Sequence, residues 1–393
     1  MENTPDLYVT LLQLLEQPAP WLDIRHLHTL AWMLVGLIKS HTVSLPEWTP
    51  FVDSRAQFAQ STVRRFSRWL NNERIDTAEL YGPIIQEALL AWGNSTVYLA
   101  LDTSMLWGQF CHIRISVIYR GRAVPLVWKT LAHRSSTVAL ADYQELLDVA
   151  ATLLPPEAQI VFLADRGFAD TKLMQYLSHT LHWHWRIRIK ASFYVYRHLQ
   201  PRIKISDITL KRGQARFWHN VYITEKKFGV VHLALAKPRG TAESWLIVSD
   251  QPTDHTTFDE YGLRFDIEEN FLDDKSAGFQ LEASLFRSTA ALSRLCLVLA
   301  IATLFLVSQG TEVVAAGKRR WVDAHWFRGN SYLKIGWKWV RRALVKGGAL
   351  ITRLRLSPLP DPEPAQASRQ QAEKRKQKRK FTVQTQVYLP LVT

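Results

Sequence analysis

Spacing of apolar positions divides this chain of 393 residues into regions of different character. Up to about residue 95 the spacing is helical. Leu27 to Lys39 forms one apolar run, and Phe51 to Gln60 is a second candidate helix. The segment STVRRFSRWLNNERID follows, with Ser61 or Thr62 placed to cap a helix N-terminus. Its Val63, Phe66, Trp69 and Leu70 recur at i, i+3, i+6 and i+7, which predicts a buried stripe. Arg64, Arg65 and Arg68 point away from that stripe. Two short helices, the second rich in arginine, fit a helix-turn-helix reader of DNA. A solvated basic face on a structural helix is the other reading.

From Thr96 the period shortens. TVYLALD is an apolar run closed by Asp102. His112 to Tyr119 alternates, and Ala123 to Trp128 follows the turn at Gly121. Leu140 to Leu154 reads as a helix stopped by Pro155 and Pro156. Ile160 to Ala164 is a buried strand leading into Asp165, Thr171 to Leu181 a helix, and Trp183 to Lys190 a further alternating strand. Three strands, a helix, a strand, a helix and a strand make the element order of a ribonuclease H-like α/β core with a mixed sheet. Residues 191–243 interrupt it as a β-rich insertion, with strands at Ala215 to Thr224 and Gly229 to Ala236. Trp245 to Asp250 returns to the core. The predicted organisation is therefore a helical, helix-turn-helix-like DNA-binding domain over 1–95, the ribonuclease H-like core over 96–310, a helical segment over 311–356, and a Pro-rich, basic, unstructured tail over 357–393.

Composition narrows the partners. The formal net charge is +14 and the pI is near 9.8. That balance favours a polyanion without choosing among DNA, RNA and an anionic membrane. Cys111 and Cys296 lie far apart and lack metal-ligand spacing, which suits buried thiols in a reducing compartment. The N-terminus has no basic region followed by an apolar stretch, so no signal peptide is expected. Leu295 to Val307 is apolar but, at 13 residues, falls short of the roughly 20 a spanning helix needs, so it reads as a core helix with no membrane partner.

The chemistry concentrates in acids and their neighbours. Tyr261, Arg264, Glu268 and Lys275 fall within about 60° of one another on a helix that turns roughly 100° per residue. A carboxylate flanked by two cations and a phenol suits a phosphate held beside a metal ion. Glu269 and Asp266 point off that face, by about 100° and about 160° from Glu268. Asp273 and Asp274 are expected to be solvated or at the helix end. Asp102 and Asp165 each close an apolar strand, an unusual place for a charge unless it is exposed or bound. Singly, each also reads as a turn residue.

These residues carry a resemblance. The Tyr-Arg-Glu-Lys spacing is similar to the signature of insertion-sequence-4 type DDE transposases. LDTS around Asp102, LADRGF around Asp165 and YGLRFDIEENFLDDKSAG around Glu268 resemble their three catalytic motifs, over roughly residues 60–345. Where many relatives have Asp-Gly-Thr or Asp-Gly-Ser, this chain has Asp102-Thr103-Ser104. The resemblance implies a DDE triad of Asp102, Asp165 and Glu268 holding two Mg²⁺ ions, with Mn²⁺ as a substitute, and Tyr261, Arg264 and Lys275 on DNA. It implies an insertion of β structure between the second Asp and the Glu, and a base-stacking role for Trp245. The latter competes with ordinary aromatic packing. The implied partner is double-stranded DNA, both inverted-repeat ends and target, bound by a homodimer in the bacterial cytoplasm. Two other readings share much of the pattern: a transposase-derived DNA-binding protein that no longer cuts, and a ribonuclease H-like nuclease without strand transfer.

Overall fold

The computed structural model describes residues 4–21, 23–54, 56–239, 243–325, 330–364 and 380–391. The chain opens with α1 (Thr4–Glu16), α2 (Ile24–Ser40), α3 (Leu45–Trp48), α4 (Ala59–Leu70) and α5 (Thr77–Leu89). Asp23 and Asp76 cap α2 and α5 by accepting from backbone N–H groups of the first turn. The helix expected over 51–60 does not form. A 3₁₀ turn, Thr49–Phe51, is followed by irregular chain at residues 52–54 and 56–58. Pro50 disfavours continuation, and the Ser54 hydroxyl takes the Ala56 N–H that a helix would use. Helix α4 starts ahead of Ser61 and Thr62, so neither caps it. The expected two-helix reader therefore lacks its first helix where the sequence put it. Phe66, Trp69 and Leu70 are buried as the stripe requires.

The core follows as β1 (Thr96–Leu106), β2 (Phe110–Tyr119), β3 (Arg122–Leu131), α6 (Leu140–Leu153), β4 (Gln159–Ala164), α7 (Thr171–His179) and β5 (His184–Arg188). This is the expected element order. Then come β6 (Tyr194–Arg197), β7 (Gln200–Lys204), β8 (Gln214–Ile223), β9 (Phe228–Lys237) and β10 (Trp245–Ser249). All join one mixed sheet in the order β3-β2-β1-β4-β5-β10-β9-β8-β6-β7. β1, β4 and β5 run parallel; β1, β2 and β3 are antiparallel neighbours. The strands between residues 191 and 243 thus extend the core sheet through β10.

Helices α8 (Thr256–Gly262) and α9 (Phe265–Leu272) precede α10 (Thr289–Ala315), and α11 (Tyr332–Lys346) closes the helical part. At 27 residues, α10 is longer than its apolar run implied, and by length and composition alone it could cross a membrane. It is buried on nearly every side within the fold, which suits a core helix. It packs closely on α11: a Cβ on Gly336 would lie 1.8 Å from the Leu306 carbonyl oxygen, so only glycine fits there. The N-terminal helices share this core. Arg294 on α10 donates to the Leu70 and Ile75 carbonyls, and Trp337 on α11 donates to the Ile38 carbonyl.

The expected unstructured tail is corrected at both ends. Leu356 is fully buried. Beyond it, Ser357 N–H donates to the Tyr119 hydroxyl, and Arg120 and Arg319 donate to the carbonyls of Leu359 and Glu363. Further on, β11 (Thr382–Val387) pairs in parallel with β8. Arginines reaching for carbonyls, Arg319 buried and Arg120 half-buried, together with an open strand edge, capture chain that composition alone reads as loose. Of the basic run Lys374–Lys380, only Lys380 lies within the described residues.

Candidate active site

The parallel pairing of β1 with β4 ends at Leu101 opposite Ala164. Asp102 and Asp165 are the next residues, so they stand side by side at the same level, on segments spaced roughly 4.8 Å apart where the β1–β4 pairing ends. The sequence predicts that Asp102 ends its strand, and this is corrected: β1 runs on to Leu106, paired with β2 alone. That loss of one neighbour is what opens the polypeptide to solvent at this level.

Helix α9 lies across the same face. Ile267 and Phe271 pack with Ala100, Ile118 and Ala123. This seats Glu268, half exposed, above the strand ends. Arg264 donates through Nη1 to Asp102 Oδ2 at 3.2 Å and through Nη2 to Glu268 Oε1 at 2.5 Å. The Tyr261 hydroxyl donates to Asp165 Oδ1 at 3.4 Å. One guanidinium and one phenol thus tie together three carboxylates from β1, β4 and α9. Arg264 is buried, at 4% side-chain exposure, with its Nε lacking a partner.

The four signature residues do not share one continuous helix. Tight i→i+3 bonds, Arg264 N to the Tyr261 carbonyl and Ile267 N to the Arg264 carbonyl, separate α8 from α9. A π turn over Asp273–Ala277 then widens the coil. The first break leaves Tyr261, Arg264 and Glu268 together. The second carries Lys275 away, to donate to the Met105 carbonyl at 2.6 Å and to pair with Glu282 at 3.8 Å.

Burial pushes the Asp102 carboxyl up to about 6; Arg264 and the Thr103 N–H pull it down, and the Glu268 and Asp165 carboxylates push it up again. Burial likewise pushes the Tyr261 hydroxyl up to about 12, so it stays a donor near neutrality. Among the described residues, no three His, Cys, Asp or Glu side chains converge as a ready cation cage. The Arg264 guanidinium stands between Asp102 and Glu268.

The neighbouring acids go elsewhere. Glu269 turns to Arg122 at 3.7 Å. Burial raises Asp266 to about 6, against Arg122. Asp273 and Asp274 lie at the helix end, one of the two expected places, just past Leu272, but they are not solvated: Asp273 meets Arg122 at 3.0 Å and Asp274 meets Arg114 at 2.7 Å, both carboxylates almost wholly enclosed. Arg114 also donates to Asn270 Oδ1 at 2.7 Å and lies over the Phe271 ring. Sequence reasoning missed Arg114, because its partners sit about 160 residues away and no local period marks it.

Trp245 opens β10, partly buried, with its ring centred 5.6 Å from Phe258 and 6.5 Å from Phe381. It adjoins the apolar cluster that includes Tyr261. Arg65 and Arg68 of α4 line a groove with Arg25 and His26; Arg64 is exposed outside its lining.

Residues 115–305 match the family model of the transposase DDE domain, a stretch holding Asp165 and Glu268 and beginning after Asp102. Solved structures similar to this chain include a cryo-EM structure of a piggyBac transposase synaptic complex with hairpin DNA, at 10% identity over 88% of this chain and 80% of that one, TM-score 0.43. Another is a crystal structure of Marinitoga piezophila Argonaute with 5′ OH guide RNA and target DNA, at 10% identity over 62% of this chain and 34% of that one, TM-score 0.21. No curated protein matches the chain. The family match supports a DDE transposase.

Proposed function

We propose that the chain is a DDE transposase of the insertion-sequence-4 type, which binds the terminal inverted repeats of its element, cuts DNA with Mg²⁺ and joins the ends to a target. The observation that carries this reading is the meeting of Asp102, Asp165 and Glu268, from β1, β4 and α9, around Arg264 and Tyr261. Carboxylate oxygens are the donors hard divalent ions prefer. Burial, with a smaller push from Glu268 and Asp165, raises the Asp102 carboxyl, and a bound cation would offset that cost. Asp102, Asp165 and Glu268 would hold the ions, which when bound would activate an attacking oxygen and neutralise charge at the phosphate.

The side chains of this chain supply the rest. Arg264 can leave its carboxylates for a phosphate, to which a guanidinium makes paired charge-assisted bonds. The protonated Tyr261 orients Asp165. Trp245, beside Phe258, offers a ring face to an unstacked base, and Arg65 and Arg68 a cationic groove for duplex backbone. Lys275 holds the β1 strand through the Met105 carbonyl. A homodimer on paired ends is part of the proposal.

The test is incubation of the full chain with the terminal repeat flanking its source locus, with Mg²⁺ and with EDTA. Nicking and joining in Mg²⁺ alone are the expected results. Binding without nicking would assign a non-cutting descendant, and nicking without joining a nuclease.

A further inference from the structure

A groove of about 760 Å³ runs beside the site, between β5, β10 and the 205–210 segment. Its charged lining is uneven: Arg166, Arg188, Lys190 and Lys237 against the single carboxylate of Glu243. Glu243 Oε1 lies 2.5 Å from Arg188 Nη2 and 3.4 Å from Arg166 Nη1, so one oxygen is shared by two guanidinium groups. Arg166 directly follows Asp165, which places one end of the groove at the candidate catalytic acids. The other wall belongs to β10, two residues after Glu243.

The two arginines differ in a useful way. Arg188 is fixed, with 12% side-chain exposure and a second bond from Nη2 to the Ser244 carbonyl at 3.2 Å. Arg166 and Glu243 are more than half exposed. An exposed ion pair of this kind contributes little to stability. Its chemistry is that of an arginine pair gripping one oxyanion, the same arrangement that grips phosphate.

We infer that this groove is a track for one nucleic-acid strand leading away from Asp165, and that Glu243 holds the place of a phosphate on Arg166 and Arg188 until a strand displaces it. The inference rests on the DNA-handling function proposed above. It makes Glu243 a brake on binding: entry of a phosphate costs the Glu243 pair, so weak, unguided contacts are disfavoured. Arg166 and Arg188 are then positioning residues for the strand attached to the scissile phosphate.

The test measures binding of labelled single-stranded and duplex oligonucleotides to the full chain in EDTA, where no cutting occurs, across a salt series. Glu243→Gln should tighten single-strand binding about three- to tenfold at low salt, and steepen the slope of log K against log salt by about 0.7 per freed contact. Arg166→Gln and Lys190→Gln should weaken binding and flatten that slope. If wild type binds, but Glu243→Gln and Arg166→Gln both leave affinity and slope unchanged, the inference falls while the proposed function stands. If wild type binds no oligonucleotide, both fall. If Glu243→Gln lowers the melting temperature and leaves binding alone, the pair is structural and the inference is again overturned.

Discussion

Both ends of α9 are fastened to the sheet by arginine and carboxylate, and water reaches only one of them. At the N-terminal end Arg264 bridges Asp102, with 19% side-chain exposure, and Glu268, with 50%. At the other end Arg114, opposite Asp102 in the β1–β2 register, meets Asp274 with both side chains at 2%. The enclosed pair has lost its water and has no exchange partner, so its ions are committed to each other. The open pair can trade partners. An acid whose arginine can be replaced by a metal or a phosphate is of use in chemistry; an acid locked in the core is of use in holding a helix still.

The comparison is broken most severely by the acids themselves. Replacing Asp102, Asp165 or Glu268 with alanine should lower cleavage by about 10³-fold or more, with end binding retained. Retained cleavage in Glu268→Ala beside loss in Glu269→Ala would move the third role to the neighbour. Asp102→Asn carries a further signature. Its carboxyl is raised from the ordinary 3.8 to about 6 in the fold. The stability this group adds is therefore full below about pH 3.8 and lost as pH rises through about 6. At pH 7 the metal-free protein bears the cost of a partly buried charge, and Asp102→Asn should raise its melting temperature by roughly 1–3 °C while ending cleavage. A lower melting temperature at pH 7 would mean that the Arg264 bond outweighs burial.

Asp274→Ala should act in the opposite sense. Leaving Arg114 enclosed without its carboxylate costs about 3–5 kcal/mol, read as a fall in denaturant midpoint. Cleavage per folded molecule should change little. The paired change Arg114→Met with Asp274→Leu should recover much of the stability. A specific loss of cleavage in that stable double variant would show that the enclosed end also sets the position of Glu268.

Arg264→Ala should lie between these cases. Its carboxylates are reached by water, so stability should fall less than in Asp274→Ala. Single-turnover cleavage should fall about 10- to 100-fold, because a charge-assisted contact is worth roughly 1.5–3 kcal/mol. Cleavage that falls only in proportion to the unfolded fraction would remove the phosphate-holding role.

The same contrast explains what the sequence made legible. Asp102 and Asp165 were readable because an acid at the edge of an apolar run is a local anomaly, and parallel pairing of Leu101 with Ala164 brings the two side by side. Glu268, Arg264 and Tyr261 were readable because short helical spacing survives the tightened turn at Arg264. Lys275 was misplaced because a π turn has no marked sequence signal, and one wide turn rotates everything after it. Asp273 and Asp274 were placed at the helix end, but their enclosure was not legible, because it depends on Arg122 and Arg114, strand residues some 150 positions earlier. The tail was misread because arginines on other elements bind its carbonyls, and backbone acceptors leave no trace in composition.

The smallest expected effect belongs to Tyr261, and it sharpens the open end of the comparison. Its hydroxyl makes a long bond, 3.4 Å, to Asp165, while its ring is buried beside Phe265 and below Arg264. Tyr261→Phe keeps the ring and removes only the hydroxyl. A well-formed bond to a carboxylate is worth about 1.5–3 kcal/mol, and one stretched to 3.4 Å is worth less, so the rate should fall by no more than about tenfold. Stability should be almost unchanged, because the ring carries the packing. Burial holds the hydroxyl near 12, so it does not ionise over the working range, and the variant should keep the wild-type pH profile up to about pH 10. A loss of cleavage as deep as that in Asp165→Ala, or a profile that changes shape, would mean that Tyr261 moves a proton instead of steadying Asp165.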